Sequence, residues 1–467
     1  MKKRILSFAF ALVLCLGLTT PALAYDMAKV EEYNVISAGH DHTAAIDENG
    51  SLWMWGDNAD GQLGIGTADP FQGIIQTTPF KVLDNVVSVS CGGSHTAAID
   101  KNSALWMWGS NAFGQVGSAG VGNYMGPQET PIQTIPFKVM EHVAAVSCGG
   151  SHTAAIDQDG ALWMWGSNFS GQLGNGYTGN SGDYSDSPTQ TVPIKIMDDV
   201  MAVSCGGSHT AAIKSDGSLW TWGSNSSGQL GNAGTFDARD MRNDPMQTTP
   251  LKIMDNVVAV SCGQDYTVAV TTDGSLGIWG KVRSEDGQTL TANSPTYISG
   301  SADTACCGAD YIAVLEHGDL WTMSYSTFEK KEGGTTAATR LKTRTMGDVV
   351  AVSCGGNYTI AVQTDGTLWT WGDNDYGQLG DGTTNSSATP IQLSQIVMTK
   401  SAQSNQSLEE AFSNVESLDP DYAAAVKEME NQEDISILNV LKTAIAMLGT
   451  FATVLVVAAL LKRRRMK

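Results

Sequence analysis

The chain has 467 residues and a formal net charge of −21, with 48 acidic against 27 basic side chains. All 48 acids and only 18 of the basic residues fall between positions 25 and 434, so that stretch carries −30. A surface of that sign repels nucleic acid and argues against a nucleic-acid or nucleotide partner.

In chain order, the first segment is an address. Residues 1–24 combine a basic start, an apolar run from Ile5 to Leu18 and Ala22-x-Ala24 before Tyr25, the layout of a secretory signal peptide cleaved between Ala24 and Tyr25. From there to residue 394 one phrase recurs, marked by His42, His95, His152, His209, Tyr266, Tyr311 and Tyr358. The steps between markers are 53, 57, 57, 57, 45 and 47 residues, a period that suits a radially repeated sheet unit.

Each unit reads as strand and turn. Val87, Val89 and Cys91 alternate with Ser88 and Ser90, and a Gly pair ends this first strand. His-Thr-Ala-Ala-Ile follows, then the acidic turn Asp157 to Gly160, then a third strand in which Trp163 and Trp165 share one face and Leu162 and Met164 the other. Bulk on both faces implies a sheet packed between sheets. With Val-Pro-Ile-Lys-Ile-Met as the fourth strand, the expected fold is all-β, a seven-bladed propeller of four-stranded blades spanning 25–394. "EEYNVISAG" is expected as an inner strand and "TPIQL" at 389–393 as an outer one, in adjacent blades, with the first and last blades sharing strands to seal the ring.

After the propeller, residues 395–434 read as a polar and helical spacer. Ser407 and Glu410 form a capping box ahead of Leu408, Phe412, Val415 and Leu418. Residues 435–461 are expected as a transmembrane helix, with 19 uncharged residues from Thr443 to Leu461. The basic tail 462–467 stays cytoplasmic by the positive-inside rule, which places the propeller outside a cell membrane on a single-pass, bacterial-looking chain.

The turn Gly92 to Thr96, the Asp157 to Trp163 segment, the Trp-Gly-x-Asn-x-x-Gly-Gln-Leu-Gly run from Trp222 to Gly231 and a Pro-x-x-hydrophobic strand together resemble the regulator of chromosome condensation repeat family. The resemblance covers about 35–393, strongest at 36–64, 87–117, 146–174, 203–231 and 352–380, and implies the propeller fold. The family's namesake works on chromatin and exchanges nucleotide on a small GTPase, activities that do not suit an acidic, exported chain.

Units five and six depart from the pattern and hold Lys281, Arg283, Lys330, Lys331, Arg340, Lys342 and Arg344, making 281–344 nearly neutral on an acidic ring. These seven are the candidate partner-binding residues. Cys91, Cys148, Cys205, Cys262, Cys307 and Cys354 share one repeat position and are expected as buried, reduced thiols, since equivalent positions on successive blades are a seventh of a turn apart. The Cys-x-x-x-His pairs supply too few ligands per blade for zinc, so no metal and no cofactor is expected. Asp47, Asp157 and Asp365 are turn formers, and no catalytic motif is present. The expected function is a non-enzymatic cell-surface scaffold binding an extracellular protein or a cell-wall or host glycan; the alternative is an extracellular glycan-acting enzyme with its site on the propeller loops.

Overall fold

The computed structural model describes residues 35–69, 73–118, 131–177, 188–239, 245–283, 289–309, 311–330, 336–396 and 398. The signal segment with Ala24 and Tyr25, the spacer beyond 398, the apolar segment 435–461 and the tail lie outside them. The described residues form seven antiparallel sheets, each contiguous in sequence and each a blade. Blade 1 runs Ile36–Ala38, His42–Ile46, Leu52–Asp57 and Ile75–Leu83, and the other six repeat this order. Blade 4 adds a fifth strand, Ala238–Arg239, outside Pro245–Met254.

Turn chemistry sets the blade outline. Asp47 accepts the backbone N–H of Asn49 and Ser51 through Oδ1 and the Trp53 indole N–H through Oδ2, so one carboxylate closes the hairpin and fixes the Trp beside it. Asp100 with Trp106 and Asp157 with Trp163 repeat the arrangement, and Asp365 caps the Thr367 N–H in blade 7. Between blades, Asn85, His142, Asp199, Asn256 and Asp348 all adopt left-handed φ near 60°, which polar residues tolerate best. One alternation expected from sequence does not hold. A bulge between Val86 and Ser88 turns Val87 outward, leaving Val86, Val89 and Cys91 buried.

Packing happens between blades. Trp55, Trp108, Trp165 and Trp222 are fully buried, and each sits against the preceding blade's Gly-Gln-Leu-Gly loop, which is Gly-Gln-Val-Gly in blade 2. The Gln62 carbonyl accepts from both Trp108 Nε1 and Thr96 Oγ1 at 2.8 Å, and Gln115, Gln172 and Gln378 serve the next blade in the same way. Gly64 is required there because a Cβ would lie 2.9 Å from the Trp108 indole nitrogen and its φ is +71°.

As expected, Ile36–Ala38 is an inner strand and Ser387–Leu393 an outer one in adjacent blades, but the manner of ring closure differs from expectation. No strand is shared among the described residues. Blade 7 instead meets blade 1 through a cluster of Ile36, Trp55, Tyr358, Ile360, Leu393, Ile396 and Met398, and through Ala38 N–H to Ser353 Oγ at 3.0 Å. A shared strand is unnecessary because this seam carries the same clasp as the seam between blades 1 and 2, with Trp55 and Thr43 on the Gln378 carbonyl. Ile396→Ala is expected to cost about 2–5 kcal/mol, and removing 385–398 to lower the melting temperature sharply. A calorimetric scan that showed neither would place closure elsewhere.

Candidate interaction surface

The repeated histidines are structural. Thr96 Oγ–H donates to Gln62 O, so His42 Nε2–H must donate to Thr96 Oγ1, 2.9 Å away, which fixes the tautomer. His95 to Thr153, His152 to Thr210 and His209 to Thr267 repeat the bond from blade to blade. The imidazoles are packed so closely that a Cβ on Gly92 would come within 2.6 Å of His95 Cε1. Tyr replaces His in blades 5 to 7 and reaches the next blade's backbone: Tyr266 to Gly308 O, Tyr311 to Tyr358 O and Tyr358 to His42 O. Burial holds His42 and His152 down to about 4, and His95 and His209 down to about 3, with Nδ1 of all four lacking a hydrogen-bond partner. Among the described residues no group of three His, Cys, Asp or Glu side chains converges on one point.

Cysteine brings a correction. Cys91, Cys148, Cys205, Cys262 and Cys307 are free thiols, but Cys306 and Cys354 form a disulfide with Cα atoms 5.6 Å apart. The seventh-of-a-turn separation applies to identical repeat positions, and Cys306 lies one residue earlier, on the strand face that looks towards blade 7. The visible signal was that Cys306 stands where the other units have Ser37, Ser90, Ser147, Ser204, Ser261 and Ser353.

Blades 5 and 6 are built differently at one end. In the well-kept blades the third strand stops at Asp57, Ser110, Ser167 or Ser224 and leads into the Asn-x-x-Gly-Gln-Leu-Gly loop. In blade 5 the third strand, Leu276–Arg283, continues as a ladder with Thr289–Ser299; in blade 6, Asp319–Lys330 pairs with Thr336–Met346 along ten registered positions. Two β-hairpins therefore replace two loops, and with them the Gln carbonyl clasp is lost at the junctions from blade 5 to 6 and from 6 to 7. Ile312 and Met323 take the Thr and Trp places in blade 6.

The candidate cations distribute along these hairpins. Lys281 is exposed and pairs with Thr291, its N–H bonded to Asp265 O, at the rim; Arg283 opposite Thr289 lies further out. Arg340, opposite Tyr325, is at the rim of blade 6, and Lys330, opposite Thr336, is further out. Lys342 is opposite Met323 in mid-sheet. Arg344 is near the other end, its guanidinium 2.6 Å from Asp319 Oδ1, which raises its affinity for the proton. The structure thus groups Lys281, Arg283, Lys330 and Arg340 at one end and separates Arg344; Lys331 lies outside the described residues.

The Regulator of chromosome condensation (RCC1) repeat profile matches residues 49–99, 102–156, 159–213, 216–270 and 365–403. This chain belongs to the RCC1 repeat family. A second profile of the same repeat places units at 35–62, 86–115, 143–172, 201–229 and 349–378, with none in the two hairpin blades. The RCC1-repeat chain is 30% identical to the Arabidopsis thaliana Ultraviolet-B receptor UVR8 over 371 residues, covering 74% of this chain and 78% of the receptor. It is 29% identical to the human Probable E3 ubiquitin-protein ligase HERC6 over 333 residues, 68% of this chain but only 30% of the ligase. Among solved structures, human WBSCR16 superposes with a TM-score of 0.59 at 23% identity, covering 74% of this chain and 95% of that one. Yeast RCC1 (Prp20) bound to Kap60 also gives 0.59, at 17% identity, covering 81% and 87%.

The buried histidines fix a pH dependence. Their folded pKa values lie below the free value near 6.5, so the unfolded chain takes up protons that the folded one refuses. Their contribution is complete above about pH 6.5 and is lost as pH falls towards 4, at about 1.4 kcal/mol per histidine per pH unit. Asp47, Asp100 and Asp157, held below the usual carboxylate range by their turn hydrogen bonds, act only at lower pH. Unfolding at pH 5.5 should therefore show a steep loss of stability relative to pH 7.5, and His152→Gln should reduce proton uptake on unfolding by about one. An equal slope in the variant would show that His152 is not the titrating group.

Proposed function

We propose that this propeller is a non-enzymatic interaction scaffold, displayed outside a membrane by the segment 435–461, that binds an acidic protein partner on the hairpins of blades 5 and 6. The observation that carries the reading is that the two blades which abandon the loop code are also the two that concentrate cations on an otherwise acidic chain. A symmetric ring offers no preferred side, and these hairpins supply one.

The outer strands favour a protein over a glycan. Pro79, Pro136, Pro193, Pro250, Pro295 and Pro390 occupy one register position on six blades, where a missing N–H discourages a further strand. Blade 6 has Lys342 there, on an 11-residue outer strand where Arg340, Lys342 and Arg344 alternate. Blade 4 accepts a two-residue added strand on its outer edge only short of Pro250, at Pro245 and Met246. An extended acidic segment laid along Thr336–Met346 would meet free backbone groups and opposite charge. Protein recognition by a related fold supports the reading, since yeast Prp20 has been seen bound to Kap60.

The test uses the full chain and a fluorescent peptide of alternating Glu and Val. Binding should weaken at least tenfold, and lose salt dependence, when Lys281, Arg283 and Arg340 are all reversed to Glu, since single exposed charges contribute about 1 kcal/mol or less. Arg344→Gln should weaken it less, because that guanidinium is already paired with Asp319. Unaltered affinity in the triple variant would move the recognition surface off these blades.

A further inference from the structure

Seven seams hold the first strands of successive blades together, and six of them use the same bond. Ser37 Oγ accepts the Cys91 N–H at 2.9 Å, and Ser90 with Cys148, Ser147 with Cys205, Ser204 with Cys262, Ser261 with Cys307 and Ser353 with Ala38 repeat it at 2.9–3.1 Å. At the seventh seam the serine is Cys306, and its sulfur is bonded to Cys354, the residue whose N–H a serine would have received. This seam is also one of the two without a Gln carbonyl clasp. Also crossing it are Tyr311 O–H with Tyr358 O and Thr359 Oγ1, Ala309 N–H to Gly356 O at 2.7 Å, Val349 N–H to Gly318 O at 2.9 Å and the cluster of Leu315, Val349, Val352 and Trp371.

We infer that the seam between blades 6 and 7 is a redox-controlled closure: oxidised, it locks the ring covalently where both the Gln clasp and the serine bond are missing, and reduced, it is where the ring opens first. A dithiol reductant supplies the chemistry. One of its thiolates attacks a protein sulfur to give a mixed disulfide, and its second thiolate displaces that sulfur. The reagent leaves as a disulfide having given two electrons, and Cys306 and Cys354 end as protonated thiols.

Exchange should stay confined to this pair. Cys306 and Cys354 are partly exposed and already joined; of the five free thiols Cys262 is also partly exposed, but burial pushes Cys91, Cys205 and Cys307 up to about 12 and raises Cys148 and Cys262 as well, so none of those five offers a thiolate near neutral pH. The bond closes a loop of 48 residues, long enough for its loss to release substantial unfolded-chain entropy. The same seam borders the blade 6 hairpin, so its state would bear on the surface proposed above, although the redox claim stands without that proposal.

The experiment takes the full chain, purified without reductant, and compares it with Cys306→Ser and Cys306→Ala. Brief dithiothreitol treatment followed by alkylation and peptide mapping should label Cys306 and Cys354 and leave the four buried thiols, Cys91, Cys148, Cys205 and Cys307, unlabelled. The melting temperature of the unmodified chain should fall by about 5 °C on reduction. Cys306→Ser rebuilds the serine bond of the other six seams and should lie between the two states, indifferent to reductant; Cys306→Ala should match the reduced chain. Free Cys306 before reduction, or a reductant effect equally large in Cys306→Ser, would overturn the inference. If neither variant folds, labelling and melting of the unmodified chain decide alone: a fall in melting temperature with label on Cys306 and Cys354 supports the closure, and no fall contradicts it.

Discussion

The structure depends on one backbone carbonyl used twice. At four seams the Gln of the loop turns its C=O into the next blade, where it accepts from a buried Trp indole and from a Thr hydroxyl, and at the blade 4 to 5 seam Gln229 accepts from Thr267 alone. That Thr in turn accepts from the preceding blade's His. Four polar groups that would each be costly if buried alone are thereby satisfied in one chain of bonds, and the apolar Trp can be fully enclosed. Because the partners of every bond come from different blades, a blade by itself would bury none of this. The ring is the unit of stability, which is how repeated units with short strands reach a closed fold.

Asymmetry follows from where that bond is missing. Blade 5 and blade 6 spend the same stretch of chain on hairpins, give up the clasp, and place cations at the rim. The two blades retain their inner strands and their Tyr contacts, so the ring still closes, with the disulfide covering one of the two deprived seams. A departure from the repeat here is a change of local structure, in which paired hairpins replace the loops that carry the clasp.

Most of the fold was legible. The period, the paired Trp and the Asp-x-x-Gly turn each admit few structures, and the seven blades and turn carboxylates follow from them. The role of His42, His95, His152 and His209 was visible as well, because Tyr substitutes for them and keeps only a ring with a polar tip. Three features were misread for physical reasons. Strand alternation failed at Val87 because a bulge adds one residue, which composition does not reveal. Closure was expected by strand sharing because the clasp linking the last blade to the first, Gln378 to Trp55, spans more than 300 residues. Cys306 was passed over beside Cys307, although it alone occupies a serine position. The cations of blades 5 and 6 were legible as a group, but their separation along the hairpins, with Arg344 drawn to Asp319, depends on register and so on the folded sheet.

If the inter-blade bonds make the ring one cooperative unit, the protons within them must all be released together. Native-state hydrogen exchange of the Ala38, Cys91, Cys148, Cys205, Cys262 and Cys307 amides, which sit in the seam bonds, measures this directly. In the oxidised chain all six are expected to exchange at one slow rate that follows global stability as denaturant is added. Protection that differed from blade to blade, with some of these amides exchanging while others stayed closed, would contradict the account.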